Sequence, residues 1–228
     1  MNNDKKYIIA SVIIILIIIA GWRFGIFKKA GQPIDNQNQE AGLINLVLEN
    51  MENGIILGDK DAPITMIEFT NFLCSHCADF AIKTLPTIEE KYIKSGQLKL
   101  AILISPPLEL GEAALCALEQ NKFEQYHNYL FENQDKISEV NDLKIFAENV
   151  GMNKDKFSKC LDSKKYENTA NSWFNESQQR GVEGTPTFFI YSSNNTEDFE
   201  KIVGAAPFED FEKIIKKYLA SEVKTLNP

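Results

Sequence analysis

The chain has 228 residues, 44% of them hydrophobic and 11% aromatic, enough apolar side chain to bury a core in one or two domains. A formal net charge of -8 excludes a surface built to neutralise phosphates, so no nucleic-acid partner is expected. Four cysteines are too few for a disulfide scaffold of this length and read as one redox pair and one further pair.

Tyr7 to Ala20 carries no charge, and Arg23 is the one interruption as the apolar run continues to Phe27. A membrane span needs about 20 such residues. Lys5 and Lys6 suit one interface, and Trp22, Arg23, Lys28 and Lys29 the other. A cleaved signal peptide shares the charged start and apolar middle, but no A-x-A-like site follows. Residues 1–30 are therefore read as an N-terminal transmembrane helix, an uncleaved single-pass anchor. Residues 31–54 follow as a polar tether, Gly31 to Glu40, and a short amphipathic helix through Leu43, Leu46, Val47 and Met51.

Ile55 to Leu57 is a small apolar strand between turns at Gly54 and Gly58-Asp59. Pro63 opens a second strand, Ile64 to Phe69, apolar on both faces as a central strand should be. Glu68 is the exception. It alternates with Ile64 and Met66 and so points at the same apolar face. It is either a carboxylate reaching solvent near the strand end or a buried acid that carries protons for an inner cysteine.

Cys74-Ser75-His76-Cys77 comes next, and a helical pattern starts at once after it. Two cysteines three apart at a helix start lie on one turn, with their sulfurs in reach of each other. Cys74 also sits where unpaired N–H groups and the helix dipole favour negative charge, which is the form in which a thiol reacts. That is a recipe for thiol–disulfide exchange. A metal site is the rival, but Cys74, His76 and Cys77 on one turn cannot all face one ion, and no fourth ligand is evident, so no metal is expected.

The helix continues through Phe80, Ala81, Leu85, Ile88 and Tyr92, kinked by Pro86 and ended by Gly96. Leu98 to Ile104 is the next strand. Strand, helix and strand in this order make a right-handed unit with parallel strands. The cysteine pair then falls at the carboxyl end of the first strand, where open α/β sheets place their sites. Residues 55–107 form this first half of the domain.

Residues 108–180 are helical throughout. Their stripes run through Ala113 and Ala117, Phe123 to Phe131, Leu143 to Val150, and Phe157 to Leu161, the last capped by Asn153. A longer helix carries Tyr166, Trp173 and Phe174, which read as core. Cys116 and Cys160 lie on two of these helices. They are either a structural disulfide or two buried free thiols. His127 reads as a histidine at the edge of the core.

Residues 181–228 complete the domain. Thr185-Pro186 begins a strand, a position where proline is tolerated and can be cis beside a sulfur pair. Ser192 to Thr196 is a turn, Phe199 to Val203 a paired strand, and Pro207 starts a last helix that buries Phe211, Ile215 and Tyr218.

The C-S-H-C motif after E-F-T-N-F-L, with G-T-P-T-F-F-I late in the chain, resembles the thioredoxin superfamily. The helical insertion narrows the resemblance to the DsbA-like thiol–disulfide oxidoreductases and their membrane-anchored relatives, over Ile55 to Leu219. The resemblance implies an α/β thioredoxin fold with an inserted helical domain and no cofactor beyond a Cys74–Cys77 disulfide. It implies that Cys74 is the exposed attacking cysteine and Cys77 the buried resolving one. His76 would stabilise the thiolate, Glu68 would be the buried acid, and Pro186 would be a cis-proline beside the site, with Thr185 touching substrate backbone. Ser75 stands where DsbA has proline, and the dipeptide between the cysteines tunes the potential. The implied partners are reduced or unfolded secreted proteins and a membrane redox partner, with the domain anchored at the cell membrane on the extracytoplasmic side. A reductase or isomerase using the same residues, and a tethered chaperone, are the alternatives.

Overall fold

The computed structural model describes residues 55–226. The anchor, tether and amphipathic helix expected in residues 1–54 lie outside them.

Five strands form one sheet in the order β1-β3-β2-β4-β5, where β1 is Ile55–Leu57, β2 Ile64–Thr70, β3 Leu98–Ile104, β4 Thr187–Ser192 and β5 Asn195–Val203. β2 is central and buried at every position, which is why its sequence lacks polar alternation. It runs parallel to β3 and antiparallel to β4. β1 and β5 close the two edges antiparallel. β5 begins at Asn195, so the turn is only Ser193-Asn194, shorter than the five residues expected. Its Glu197, Asp198, Glu200 and Lys201 are edge charges that discourage pairing with another chain.

The cysteine helix opens as α1 (Ser75–Asp79) and continues through a π segment Phe80–Thr84, α2 (Leu85–Ile88) and a second π segment Glu89–Ile93. The expected kink at Pro86 takes this form because proline brings no N–H to the ladder. The Leu85 N–H reaches back five residues to the Phe80 carbonyl. Gly96, at φ +72°, ends the run. Gly58 shapes the turn before β2. At φ +95° its Cβ position lies 2.8 Å from the Ile93 side chain and 2.8 Å from the Leu98 carbonyl oxygen, so only glycine fits.

The insertion holds α3 (Leu108–Leu118), α4 (Phe123–Glu132), a short 3-10 turn Gln134–Lys136, α5 (Val140–Asn149), α6 (Lys154–Asp162) and α7 (Glu167–Gln179). Asn153 caps α6 by accepting the Lys156 N–H at 2.9 Å. A disulfide joins Cys116 of α3 to Cys160 of α6, which removes the free-thiol alternative. His127 sits inside the core rather than at its edge, ringed by Phe72, Phe123 and Phe131. Burial pushes its pKa down to about 4, so it is neutral at physiological pH. Trp173 is buried as expected, but Phe174 is 37% exposed, at the flank of the buried stripe that Ala170, Trp173 and Ser177 form on the polar helix α7. The last helix, α8 (Phe208–Leu226), lays Phe211 against Phe80 and Phe188, joining the cysteine helix to the sheet.

Candidate active site

The chain leaves the carboxyl end of β2 through Asn71, and that one residue organises the loop. Its carbonyl accepts the Cys74 N–H at 3.0 Å. Its side-chain oxygen accepts the Leu73 N–H at 2.7 Å, and its side-chain amide donates to the Pro106 carbonyl at 2.7 Å. Its own N–H donates to the Cys77 sulfur at 3.4 Å. An Asx-type turn directly after a strand is a readable sign of such a residue, and sequence reasoning passed over it.

Cys74 is the N-cap of α1, with extended backbone at φ -94° and ψ 122°. Its sulfur is half-buried, and its S–H donates to the Thr185 carbonyl at 3.2 Å. Partial burial works against the thiolate. The Cys77 and His76 backbone N–H groups, with the Thr185 and Cys77 side chains, outweigh it and hold the Cys74 pKa below its ordinary value. The His76 group that acts on the sulfur is thus its backbone N–H. The imidazole is exposed to solvent.

Cys77 is fully buried one turn on, and burial pushes its pKa up to about 12, with the charge of Glu68 adding to the rise. Both cysteines are free thiols, so the structure is that of the reduced pair. Thr185-Pro186 is a cis peptide, and the Pro186 carbonyl is held by the Gly204 N–H at 2.8 Å. The structure therefore brings Cys74, Cys77 and Thr185-Pro186 together at one end of β2 and β4. Cys116 and Cys160 stay apart from it, in the insertion.

Glu68 does not reach solvent. It is fully buried on the sheet face that also carries its register partner Phe188. Burial raises its pKa from the ordinary 4.5 to about 7, offset only in part by the Thr70 side chain. The folded chain thus keeps this proton to higher pH than the unfolded chain does. The stabilisation is whole below about pH 4.5 and is lost as pH rises through about 7, a change on the order of 3 kcal/mol. A Glu68→Gln variant carries no such charge. Its stability relative to the parent, read from urea midpoints, is expected to improve by about that amount between about pH 4 and pH 8. A difference that stays constant across this range would contradict the buried-acid account.

Gln134 is a second site residue absent from the sequence reading, and unlike Asn71 it carries no local signal. It comes from the insertion, and its side-chain amide donates to the Phe72 carbonyl at 2.7 Å and the Cys74 carbonyl at 3.0 Å. Beside it a cleft of about 260 Å³ is lined by Leu73, Pro107, Ile137, Val140 and Leu143, with Glu109 and Glu139 also on its walls. Leu73 and Val140 are 46% and 40% exposed, an apolar collar next to the half-buried sulfur.

A family model described as Thioredoxin matches residues 50–217. The chain belongs to the thioredoxin family. Among solved structures it is similar to alpha-DsbA1 of Wolbachia pipientis, with a TM-score of 0.69 and 25% identity over 77% of this chain and 96% of that one. A Rickettsia bellii relative, named a protein-disulfide oxidoreductase, is 27% identical over 175 residues, 72% of this chain and 67% of its own length. A Bacillus anthracis relative, named disulfide bond formation protein D, is 27% identical over 159 residues, 64% of this chain and 73% of its own. This thioredoxin-family chain is DsbA-like in its inserted helices, and its class is that of the thiol–disulfide oxidoreductases.

Proposed function

We propose that the chain is an oxidase that donates a Cys74–Cys77 disulfide to the thiols of extracytoplasmic proteins. The observation that carries this reading is the unequal setting of the two sulfurs. Cys74 is half-exposed at a helix N-terminus among donors, and Cys77 is sealed beneath it.

In the forward step a substrate thiolate attacks the Cys74 sulfur of the oxidised pair. The Cys74–Cys77 bond breaks, a mixed disulfide forms, and Cys77 leaves as a thiolate that takes up a proton. A second substrate thiolate then attacks the substrate sulfur of the mixed disulfide. Cys74 leaves as a thiolate, and the substrate departs with a disulfide. Two electrons pass from the substrate to the pair. A low pKa makes Cys74 a good leaving group and favours the reduced pair, which drives oxidation forward. Glu68, holding a proton near neutral pH beneath the pair, supplies the proton that Cys77 needs and removes it in the reverse direction. The Thr185-Pro186 segment lines up an extended substrate backbone beside Cys74.

The uncharged run in residues 7–20 supports an anchored, single-pass placement at the cell membrane, with the domain outside. There a membrane redox partner that accepts two electrons returns the pair to the disulfide. Cys116–Cys160 supports the same compartment, since buried structural disulfides persist where thiols are oxidised. Among the described residues no helix is long and apolar enough to cross a membrane. The reduction potential of the pair tests the direction: a poise more oxidising than glutathione supports an oxidase, and one near that of thioredoxin replaces it with a reductase.

A further inference from the structure

We propose that Gln134 is a positioning residue of the exchange site, a donor supplied by the helical insertion that fixes the Cys74 backbone at the mouth of α1. The proposal rests on the exchange reaction above and adds to it a role for the insertion.

Gln134 stands 60 residues along the chain from Cys74, and one nitrogen bridges two carbonyls that flank the Leu73-Cys74 linkage. Phe72 is buried, so its carbonyl is shielded and needs a donor. The Cys74 carbonyl already accepts the Ala78 N–H at 3.1 Å as the first bond of the helix, and Gln134 adds a second donor to it. With both carbonyls held, Cys74 keeps the extended cap conformation that swings its sulfur away from the helix axis and toward Thr185. The same bonds keep these two oxygens turned toward Gln134, so neither faces the sulfur where negative charge develops. The anchor for the clamp is close by. Gln134 heads the short turn that follows α4, and the Lys136 N–H bonds back to the Asn133 carbonyl at 3.0 Å. α4 itself is fixed by Phe131 packed against Phe72, ring centroids 4.8 Å apart and tilted at 49°. Sulfur geometry is thereby tied to the packing of the insertion, which loop residues alone would not secure.

Gln134→Met keeps length and loses the donor; Gln134→Ala removes the side chain. The full chain of each is reduced, and the Cys74 thiolate is titrated by its absorbance near 240 nm. The expected result is a Cys74 pKa raised by about one unit in both, the size of one positioned hydrogen bond to a site. The equilibrium with glutathione should shift toward the oxidised pair by up to about tenfold, about 30 mV for a two-electron couple. Gln134→Lys retains a donor and is expected to leave the pKa at or below that of the parent. An unchanged pKa in a folded Gln134→Met or Gln134→Ala chain would overturn the proposal. So would loss of folding in both, which would make Gln134 a structural strut. In every variant exchange itself should persist at an altered rate, so a chain with no exchange at all would count against the function proposed above and not against Gln134.

Discussion

Cys74→Ser removes disulfide exchange: oxidation of a reduced, unfolded protein by the full chain, with glutathione disulfide as the terminal oxidant, is expected to fall by on the order of a thousand-fold or more, to the uncatalysed rate. Cys74 carries the half-exposed sulfur of the pair, and serine can neither leave as a stabilised anion nor form the mixed disulfide. Cys77→Ser is expected to behave differently. Glutathione disulfide can still cap Cys74, releasing glutathione, and a substrate thiolate can displace the second glutathione to form the mixed disulfide. With a substrate that carries a single cysteine, neither Cys77 nor a second substrate thiol is there to resolve it. A covalent complex between chain and substrate should accumulate on non-reducing gels and vanish with dithiothreitol. The pair of variants separates exchange from chaperoning, because a chain that only binds unfolded protein would lose nothing in either. Retained catalysis in Cys74→Ser would remove the scheme.

The second large effect concerns a bond remote from this chemistry. Cys116–Cys160 closes a loop with a sequence separation of 44 and staples α3 to α6. Cross-linking a loop of that size restricts the unfolded chain by about 4 kcal/mol in the chain-entropy account. A Cys116→Ala/Cys160→Ala double variant should therefore lose about 4 kcal/mol in urea unfolding and melt about 10 °C lower. It should still exchange at Cys74, since neither residue approaches the pair. An unfolding midpoint equal to that of the parent would show that α3 and α6 are held by packing alone.

Much of this was legible because a few residues impose strong local geometry. Cys74 and Cys77 after a largely apolar strand, and Gly58, Gly96 and Pro186 at turns, fix β2, the cysteine helix and the start of β4 from short-range patterns. Glu68 was ambiguous because alternation gives a side chain's face but not its depth. Only the helices laid over β2 decide that no water reaches it. The Cys116–Cys160 pairing was open for the same reason, since it depends on how α3 and α6 dock. Gln134 was invisible: a glutamine in a polar stretch has no periodic signature, and its bonds reach back 60 and 62 residues. Phe174 lies beside buried Trp173 at the flank of the buried stripe of α7, and aromatic content does not tell a flank from a core position. The resemblance assigns His76 to the thiolate without saying which of its groups acts, and the group that reaches the sulfur is the backbone N–H. A residue two steps past an N-cap offers its N–H to the cap sulfur whatever its side chain.

The most direct measurement of the central claim is the reduction potential of Cys74–Cys77 in the full chain, by equilibration with glutathione buffers. A thiolate held low on Cys74 above a sealed Cys77 predicts an oxidising pair, near the roughly -120 mV of DsbA. A value near the roughly -270 mV of thioredoxin would contradict the oxidase and leave the same residues working as a reductase.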